Sequence, residues 1–188
     1  MSREDLLLKL AKPIPIGSVM DPVEGWEPPT DKQKEAGNYE KPSFWWRGMQ
    51  ISIENPVGST RSGVTAAGKA WKTVMKNPYG YIKGTTGFDG DHLDVFVGPK
   101  LDSYMVYVID QKNPTTGEFD EHKCVIGVRT KDEARAVYDA NFQKGWDGFS
   151  GITSMPVPVF KEWAFGEIQG ALKVARFLGY VTGSTTQA

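Results

Sequence analysis

Three aspartates within six residues form the acidic group best suited to chemistry in this sequence: Asp89, Asp91 and Asp94, in the run F-D-G-D-H-L-D-V-F-V. Gly90 permits a tight turn between the first two, and the apolar residues that follow favour a β-strand. Carboxylates this close repel one another unless a cation offsets their charge, and hard divalent cations prefer oxygen ligands. The spacing predicts a metal site, and a solvated acidic turn is the simpler alternative.

Other carboxylates lie at the ends of predicted strands elsewhere in the chain. Glu54 and Asp110 each end a predicted strand, whereas Asp120 and Glu121 open another. A small barrel could bring these strand ends together with the first acidic cluster, and metal ions would then have several candidate ligands.

Basic residues lie near the acidic ones along the sequence: Arg61, Lys69, Lys72, Lys76, Lys83 and Lys123. Carboxylates that hold metal ions, beside cations that hold an anion, are what phosphoryl hydrolysis requires. The metals activate water, and the cations neutralise the phosphate oxygens.

The elements that must position these residues are mainly short strands, followed by helices. Strands are predicted from Gln50 onwards by alternating or compact apolar runs between glycine-rich turns. Thr130 and Glu133 form a capping-box pattern that begins a helix, and Phe160–Leu178 has apolar residues at helical spacing. This order predicts an α+β fold: a small curved or Greek-key-like β-barrel with peripheral helices. Trp71, Trp146 and Trp163 are expected to be core anchors rather than platforms for ligand stacking.

Composition divides the chain and excludes several classes of protein. Prolines concentrate in the first fifty residues, so we expect a Pro-rich N-terminal arm (1–49), a domain that carries the chemistry (50–165), and a C-terminal helix and tail (166–188). Cys124 is the only cysteine, which excludes an intramolecular disulfide framework and fits a cytoplasmic location. A net charge of −1 argues against sequence-specific nucleic-acid binding, because the chain has no overall positive charge. The absence of a long apolar run argues against membrane insertion.

With these motifs the sequence resembles the family I soluble inorganic pyrophosphatases. D-G-D-H-L-D-V fits that family's signature except at His92. The strings I-E-N-P, Y-G-Y-I and G-E-F-D-E-H-K resemble further elements of the family and occur in its order. The resemblance implies an OB-like barrel and Mg²⁺-dependent hydrolysis of inorganic pyrophosphate to phosphate.

The resemblance also implies roles for individual residues. Asp91 corresponds to the catalytic carboxylate at or near the general base. The implied metal ligands are Asp89, Asp94, Asp110, Asp120, Glu121 and Glu54, with Asp120 and Glu121 ranked nearly equal for one position. The implied substrate-binding residues are Arg61, Lys72, Tyr79, Lys123 and Lys144. Lys69 ranks next after Lys72 as the replacement for a phosphate-binding arginine of the family.

A narrower resemblance covers about residues 30–165. The strings E-A-G-N-Y-E-K and Y-G-Y-I-K-G-T are similar to the pyrophosphatase-like domain of bacteriophage and mobile-element proteins. This implies a phage origin, a place in the host cytoplasm or the virion, and phage proteins or a second copy of the chain as partners through the arm. Two alternatives to pyrophosphate hydrolysis remain: a virion or interaction protein without turnover, and a phosphohydrolase that acts on a nucleotide.

Overall fold

The computed structural model describes residues 11–37, 39–65 and 67–166. Its strands are β1 (Ala11–Pro13), β2 (Lys41–Trp46), β3 (Met49–Asn55), β4 (Thr60–Val64), β5 (Ala70–Val74), β6 (Tyr79–Ile82), β7 (Leu93–Val97), β8 (Met105–Lys112), β9 (Phe119–Ile126) and β10 (Phe149–Pro156). Its helices are a short 3₁₀ turn (Ile16–Ser18), α1 (Asp31–Ala36), α2 (Lys131–Ala140) and α3 (Val157–Phe165). Most of the predicted helix Phe160–Leu178 lies outside the described residues.

Eight of these strands form one mixed sheet in the order β1-β2-β3-β6-β7-β9-β8-β10. The pairs β1–β2 and β7–β9 are parallel and the other neighbours are antiparallel. Strands β4 and β5 pair with each other in a separate two-stranded ribbon. The predicted α+β class is confirmed, with a sheet that runs from β1 to β10 and is not closed into a barrel.

The two faces of the sheet bury two apolar clusters, because successive side chains along a strand point to opposite faces. One face carries residues such as Val95 and Cys124 and packs against Trp163 of α3. The other carries Phe96 and Val125 and is covered by α2. Which face a polar residue shares therefore follows from its position in the strand.

Helix α2 begins where the sequence predicts it. The Thr130 hydroxyl accepts a hydrogen bond from the Glu133 backbone amide at 3.1 Å. The Glu133 carboxylate accepts from the Arg129 backbone amide at 2.9 Å, one residue before the expected partner. Among the helices that the structure describes, none is long and apolar enough to cross a membrane.

Part of the segment predicted as an arm belongs to the sheet. Strand β2 pairs with β3, which itself starts at Met49, and so the sheet crosses the expected boundary after residue 49. Trp46 is buried in the core and donates its indole N–H to the Leu101 carbonyl at 2.8 Å, while Trp45 is 63% exposed. Strand alternation explains the difference, because neighbouring residues of β2 point to opposite faces of the sheet.

Candidate active site

A buried lysine lies at the centre of the polar cluster on the α2 side of the sheet. Lys123 is only 2% exposed, and its ammonium group donates to the Tyr79 hydroxyl at 3.0 Å. It also contacts the carboxylate of Asp94 and that of Glu121, the latter at 2.8 Å. The Tyr79 hydroxyl in turn donates to Asp94. We call Tyr79, Asp94, Glu121 and Lys123 the lysine cluster.

The register of three neighbouring strands assembles this cluster. Asp94 of β7 lies directly opposite Lys123 of β9 in the parallel pair, and Tyr79 of β6 lies opposite Phe96, two residues further along β7. Asp94 and Phe96 share a face because side chains alternate. Residues distant in sequence are thus brought into contact by strand pairing.

The separate ribbon adds a cation to the cluster. Arg61 of β4 donates to the Tyr79 hydroxyl at 3.2 Å, and its guanidinium carbon lies 4.3 Å from the centre of the Tyr79 ring. A cation above an aromatic face is held electrostatically as well as by the hydrogen bond. Tyr79 therefore links two cations, Arg61 and Lys123, to one carboxylate.

An irregularity in the β8–β9 pairing places two carboxylates beside one amide. Gln111 pairs with Glu121 and Lys112 pairs with Phe119, so that Asp120 is the extra residue of a β-bulge. The Gln111 side-chain amide donates to Asp120 at 3.1 Å and to Glu121 at 3.0 Å. Both acids therefore lie beside the Gln111 side-chain amide.

Burial and charge set the protonation states of the cluster. Burial alone lowers the pKa of Lys123, but the contacts with Tyr79, Asp94 and Glu121 outweigh it and raise that pKa above its usual value. Burial raises the pKa of the Tyr79 phenol, which keeps it a neutral donor. Burial also raises the pKa of Glu121, against the opposing effect of Lys123. The cluster thus holds a charged ammonium and a neutral phenol at neutral pH.

The cluster opens into a cavity of about 540 Å³. Its lining includes four cations, namely Arg61, Lys69, Lys123 and Lys144. Asp120, Glu121 and Gln111 also line it, together with the indoles of Trp71 and Trp146. The arrangement offers cations to bind an anion and carboxylates to bind a metal ion or accept protons.

A sequence model of the inorganic pyrophosphatase family matches residues 31–165, which is most of the chain. The chain belongs to the inorganic pyrophosphatase family. Three solved chains also match; one is an inorganic pyrophosphatase from Coxiella burnetii, 18% identical, with a TM-score of 0.35 and an alignment covering 61% of this chain and 91% of that one. No curated protein sequence matches the chain.

The lysine cluster of this pyrophosphatase-family chain contains several of the residues implied by the resemblance. Asp94, Glu121, Tyr79 and Lys123 are in contact, and Arg61 touches Tyr79. Asp120 joins through Gln111, and Lys144 lies in the cavity wall. The structure brings these residues to one site, and the roles implied for them stay predictions.

Lys72 is not brought to the cavity, whereas Lys69 is. In the β4–β5 ribbon Arg61 pairs with Thr73 and Lys72 pairs with Ser62, so that Lys72 and Arg61 point to opposite faces. Lys72 is exposed. This placement does not support the order predicted for the two lysines, because alternation along β5 turns Lys72 away from the face that carries Arg61.

Asp110 lies away from the lysine cluster, and among the described residues Glu54 makes no contact with it. Asp110 is on the opposite face of the sheet, where its carboxylate is 3.1 Å from the buried His122 ring nitrogen Nδ1. Glu54 is the extra residue of a bulge between β3 and β6, and it accepts from the Lys41 ammonium at 3.1 Å. Lys41 also donates to the Tyr81 hydroxyl at 3.3 Å, and Tyr81 pairs with Asp94, so Glu54 is linked to the cluster only indirectly.

Asp89 and Asp91 lie in the exposed turn that precedes β7. The Asp89 carboxylate accepts from the Asp91 backbone amide at 3.1 Å, which stabilises the turn around Gly90. Gly90 adopts a φ of 89°, a conformation that favours glycine, as the sequence pattern predicts. The structure gives these two carboxylates no contact with the lysine cluster among the described residues.

The donor types in and beside the cluster suit Mg²⁺, which prefers carboxylate oxygens. Asp94, Asp120 and Glu121 supply such oxygens on one side of the sheet. Within residues 11–37, 39–65 and 67–166, however, no three acidic, histidine or cysteine side chains converge on one point as a metal site. Lys123 instead neutralises two of the carboxylates, Asp94 and Glu121.

The site also contains one glutamine and two tryptophans that the sequence did not assign to it. Gln111 bridges two acids, and its alternation with Ile109 along β8 is the signal that could have found it. Trp163 is a buried core residue as predicted. Trp146 is half-buried and packs against the apolar cluster on the α2 face, as predicted, and it also lines the cavity. Trp71 is half-buried and lines the cavity from the peripheral ribbon.

Proposed function

We propose that this chain hydrolyses inorganic pyrophosphate to two phosphates with Mg²⁺ as cofactor. The observation that carries the proposal is the buried Lys123 ammonium, held by Tyr79, Asp94 and Glu121 at one wall of a cavity that Arg61 also lines. Membership of the inorganic pyrophosphatase family supports the reaction class.

The cations of the cavity would bind the phosphate groups. Arg61 and Lys123 meet at the Tyr79 hydroxyl, and Lys69 and Lys144 stand elsewhere in the same wall. Fixed cations stabilise the charge on transferring phosphoryl oxygens without reorganising during the reaction. Since Tyr79 already donates to Asp94, its hydroxyl would orient both cations rather than act as an acid.

Asp94, Asp120 and Glu121 are the residues of the cluster that would hold Mg²⁺, with Asp89 and Asp91 available from the adjoining turn. When bound, Mg²⁺ supplies Lewis-acid activation of water and of the phosphate oxygens. The proposed contribution of Asp91 is to accept a proton from water, and its exposed position leaves the carboxylate free for that role. Lys123 would offset the negative charge of Asp94 and Glu121 beside the bound phosphates.

Phosphate release from pyrophosphate, measured against MgCl₂ concentration, tests the proposal. We expect turnover that requires Mg²⁺ and falls at least about a hundredfold in Asp94→Asn, because a charged group at the site is lost. Asp132→Asn, an exposed acid of α2, is the matched control and should retain full activity. If the folded wild-type protein releases no phosphate at any Mg²⁺ concentration, the family fold is retained without this activity.

We further propose that the domain is of the phage or mobile-element type, with phage proteins or a second copy of the chain as partners. This rests on the strings E-A-G-N-Y-E-K and Y-G-Y-I-K-G-T and implies a cytoplasmic or virion location. Recovery of the chain with purified virions would support the virion location. A uniformly monomeric protein that is absent from virions would contradict the proposed partners.

A further inference from the structure

The cavity beside the lysine cluster is larger and more aromatic than pyrophosphate requires. Its volume of about 540 Å³ falls within the range of about 300–1,000 Å³ typical of sites for organic ligands of drug size. Two tryptophans, Trp71 and Trp146, stand in its wall with the cations. Cations alone would suffice for an inorganic anion, so the indoles require a separate explanation.

Trp71 is held in a fixed position on the ribbon. Gly63 of β4 pairs with Trp71 of β5. A methyl group on Gly63 would lie 2.6 Å from the Trp71 ring, which shows that the indole lies directly over this glycine. The Arg61 guanidinium lies 5.7 Å from the indole centre and 4.3 Å from that of Tyr79. An aromatic surface is thus placed next to a phosphate-binding cation.

Trp146 is held equally firmly by a different set of contacts. Its ring covers Gly148, stacks on Phe142 at a centroid distance of 4.8 Å and an angle of 6°, and donates its N–H to the Tyr138 hydroxyl at 2.8 Å. Tyr138 donates at 2.8 Å to Gln111, the residue that holds Asp120 and Glu121. A hydrogen-bonded chain therefore connects this indole to the acids of the site.

We propose that the site, if it has the proposed phosphoanhydride hydrolase function, also takes nucleoside 5′-triphosphates and diphosphates. The phosphates bind at Arg61 and Lys123, and the base stacks on an indole of the cavity wall. Stacking on aromatic rings tolerates any base because each has a π-face. The site therefore discriminates weakly among the bases, and it binds a nucleotide more tightly than an inorganic polyphosphate of the same number of phosphates.

The reaction on a nucleoside triphosphate follows the same course as on pyrophosphate. A water oxygen forms a bond to the terminal phosphorus, and the bond from that phosphorus to the bridging oxygen breaks. The bridging oxygen keeps the electron pair and leaves with the nucleoside diphosphate. The water proton passes to a carboxylate and then to solvent, which gives nucleoside diphosphate and phosphate.

A comparison of adenosine and guanosine triphosphates with inorganic tripolyphosphate isolates the contribution of the base. We expect a KM about 5- to 100-fold lower for both nucleotides than for tripolyphosphate, given the usual gain from base stacking. Trp71→Leu or Trp146→Leu should reduce this ratio, and Trp71→Phe should largely preserve it. Trp45→Leu, which removes an exposed indole from β2, is the matched control.

Equal KM values for nucleotides and tripolyphosphate, or a ratio unchanged in both leucine variants, would overturn the inference. The two leucine variants lie in separate segments, so a folding defect in one leaves the other as a test. Calorimetric binding of a non-hydrolysable nucleoside triphosphate separates this inference from the proposed function. If nothing is hydrolysed but this analogue binds and Trp71→Leu weakens its binding, nucleotide recognition by the indole stands while the proposed hydrolysis fails.

Discussion

The Lys123 ammonium lies 2.8 Å from the carboxylate of Glu121, two residues earlier on the same strand. The pair shares a face because side chains two apart in a strand point the same way. Lys123 also contacts Asp94 of the neighbouring strand, so that one buried cation offsets two carboxylates. The repulsion between the two acids is therefore reduced before any ligand binds.

Replacement of this lysine should affect both stability and activity. In Lys123→Met, Asp94 and Glu121 lose their common cation, which should lower the free energy of unfolding by about 3–5 kcal/mol. Pyrophosphate turnover should fall by about 10²–10³-fold because a phosphate ligand is removed. Urea denaturation and steady-state phosphate release measure the two effects. Lys100→Met, at a half-exposed surface pair with Glu133, should change neither by much.

Removal of the Tyr79 hydroxyl should separate its contribution from that of the aromatic ring, which lies beneath Arg61. Tyr79→Phe keeps the ring beneath Arg61 but removes the atom that Arg61, Lys123 and Asp94 share. We expect kcat to fall about tenfold or more and the free energy of unfolding to fall by about 1–3 kcal/mol. An unchanged kcat in a folded variant would show that the hydroxyl has no part in orienting the cations.

The two lysines of the ribbon region provide a matched pair. Lys69 lines the cavity, whereas Lys72 points to the opposite, exposed face of β5. Lys69→Ala should raise KM for pyrophosphate about 3- to 10-fold because an attractive charge near the anion is lost. Lys72→Ala should leave it close to the wild-type value. If Lys72→Ala raised KM and Lys69→Ala did not, Lys72 would again be the preferred phosphate-binding residue, as the sequence analysis ranked it.

A methyl group at Gly63 should disturb Trp71 without touching the lysine cluster. The added carbon would lie 2.6 Å from the indole, so the ring must move. Gly63→Ala should therefore reduce the preference for nucleotides over tripolyphosphate as Trp71→Leu does. Gly17→Ala is the control, since nothing lies within 4 Å of its added carbon. A retained preference in Gly63→Ala would mean that the indole does not need this position.

Stability should fall in alkali partly through Tyr138. Burial raises the pKa of this phenol from 10.0 to about 12. The folded state thus retains the proton longer than the unfolded chain, and the resulting stability is present below pH 10 and lost as the pH rises to about 12. Between pH 8 and pH 11, Tyr138→Phe should remove about 1.4 kcal/mol of this decline. Denaturation at pH 8 and pH 11 measures the difference, and equal declines in both proteins would contradict it.

The sequence alone was sufficient to predict the features that depend on short local patterns. The α+β class, the turn at Gly90 and the start of α2 were predicted from local patterns, which depend on neighbours within a few residues. The order of the motifs also pointed to Tyr79, Asp94 and Lys123. These three side chains meet because each residue lies in a strand of the main sheet. Side chains alternate between the two faces along a strand, so the position of each residue decides the face on which it lies.

The tertiary structure decided the positions that depend on register. Glu54 and Asp120 are the extra residues of two bulges, and one inserted residue redirects the side chains around it. Asp110 lies on a face of the sheet set by the pairing of β8 with β9 and with the more distant β10. Local sequence does not encode such pairings, because they arise from the packing of whole strands against the two apolar clusters. For the same reason only the folded chain shows that Trp71 and Trp146 stand in the wall of the cavity.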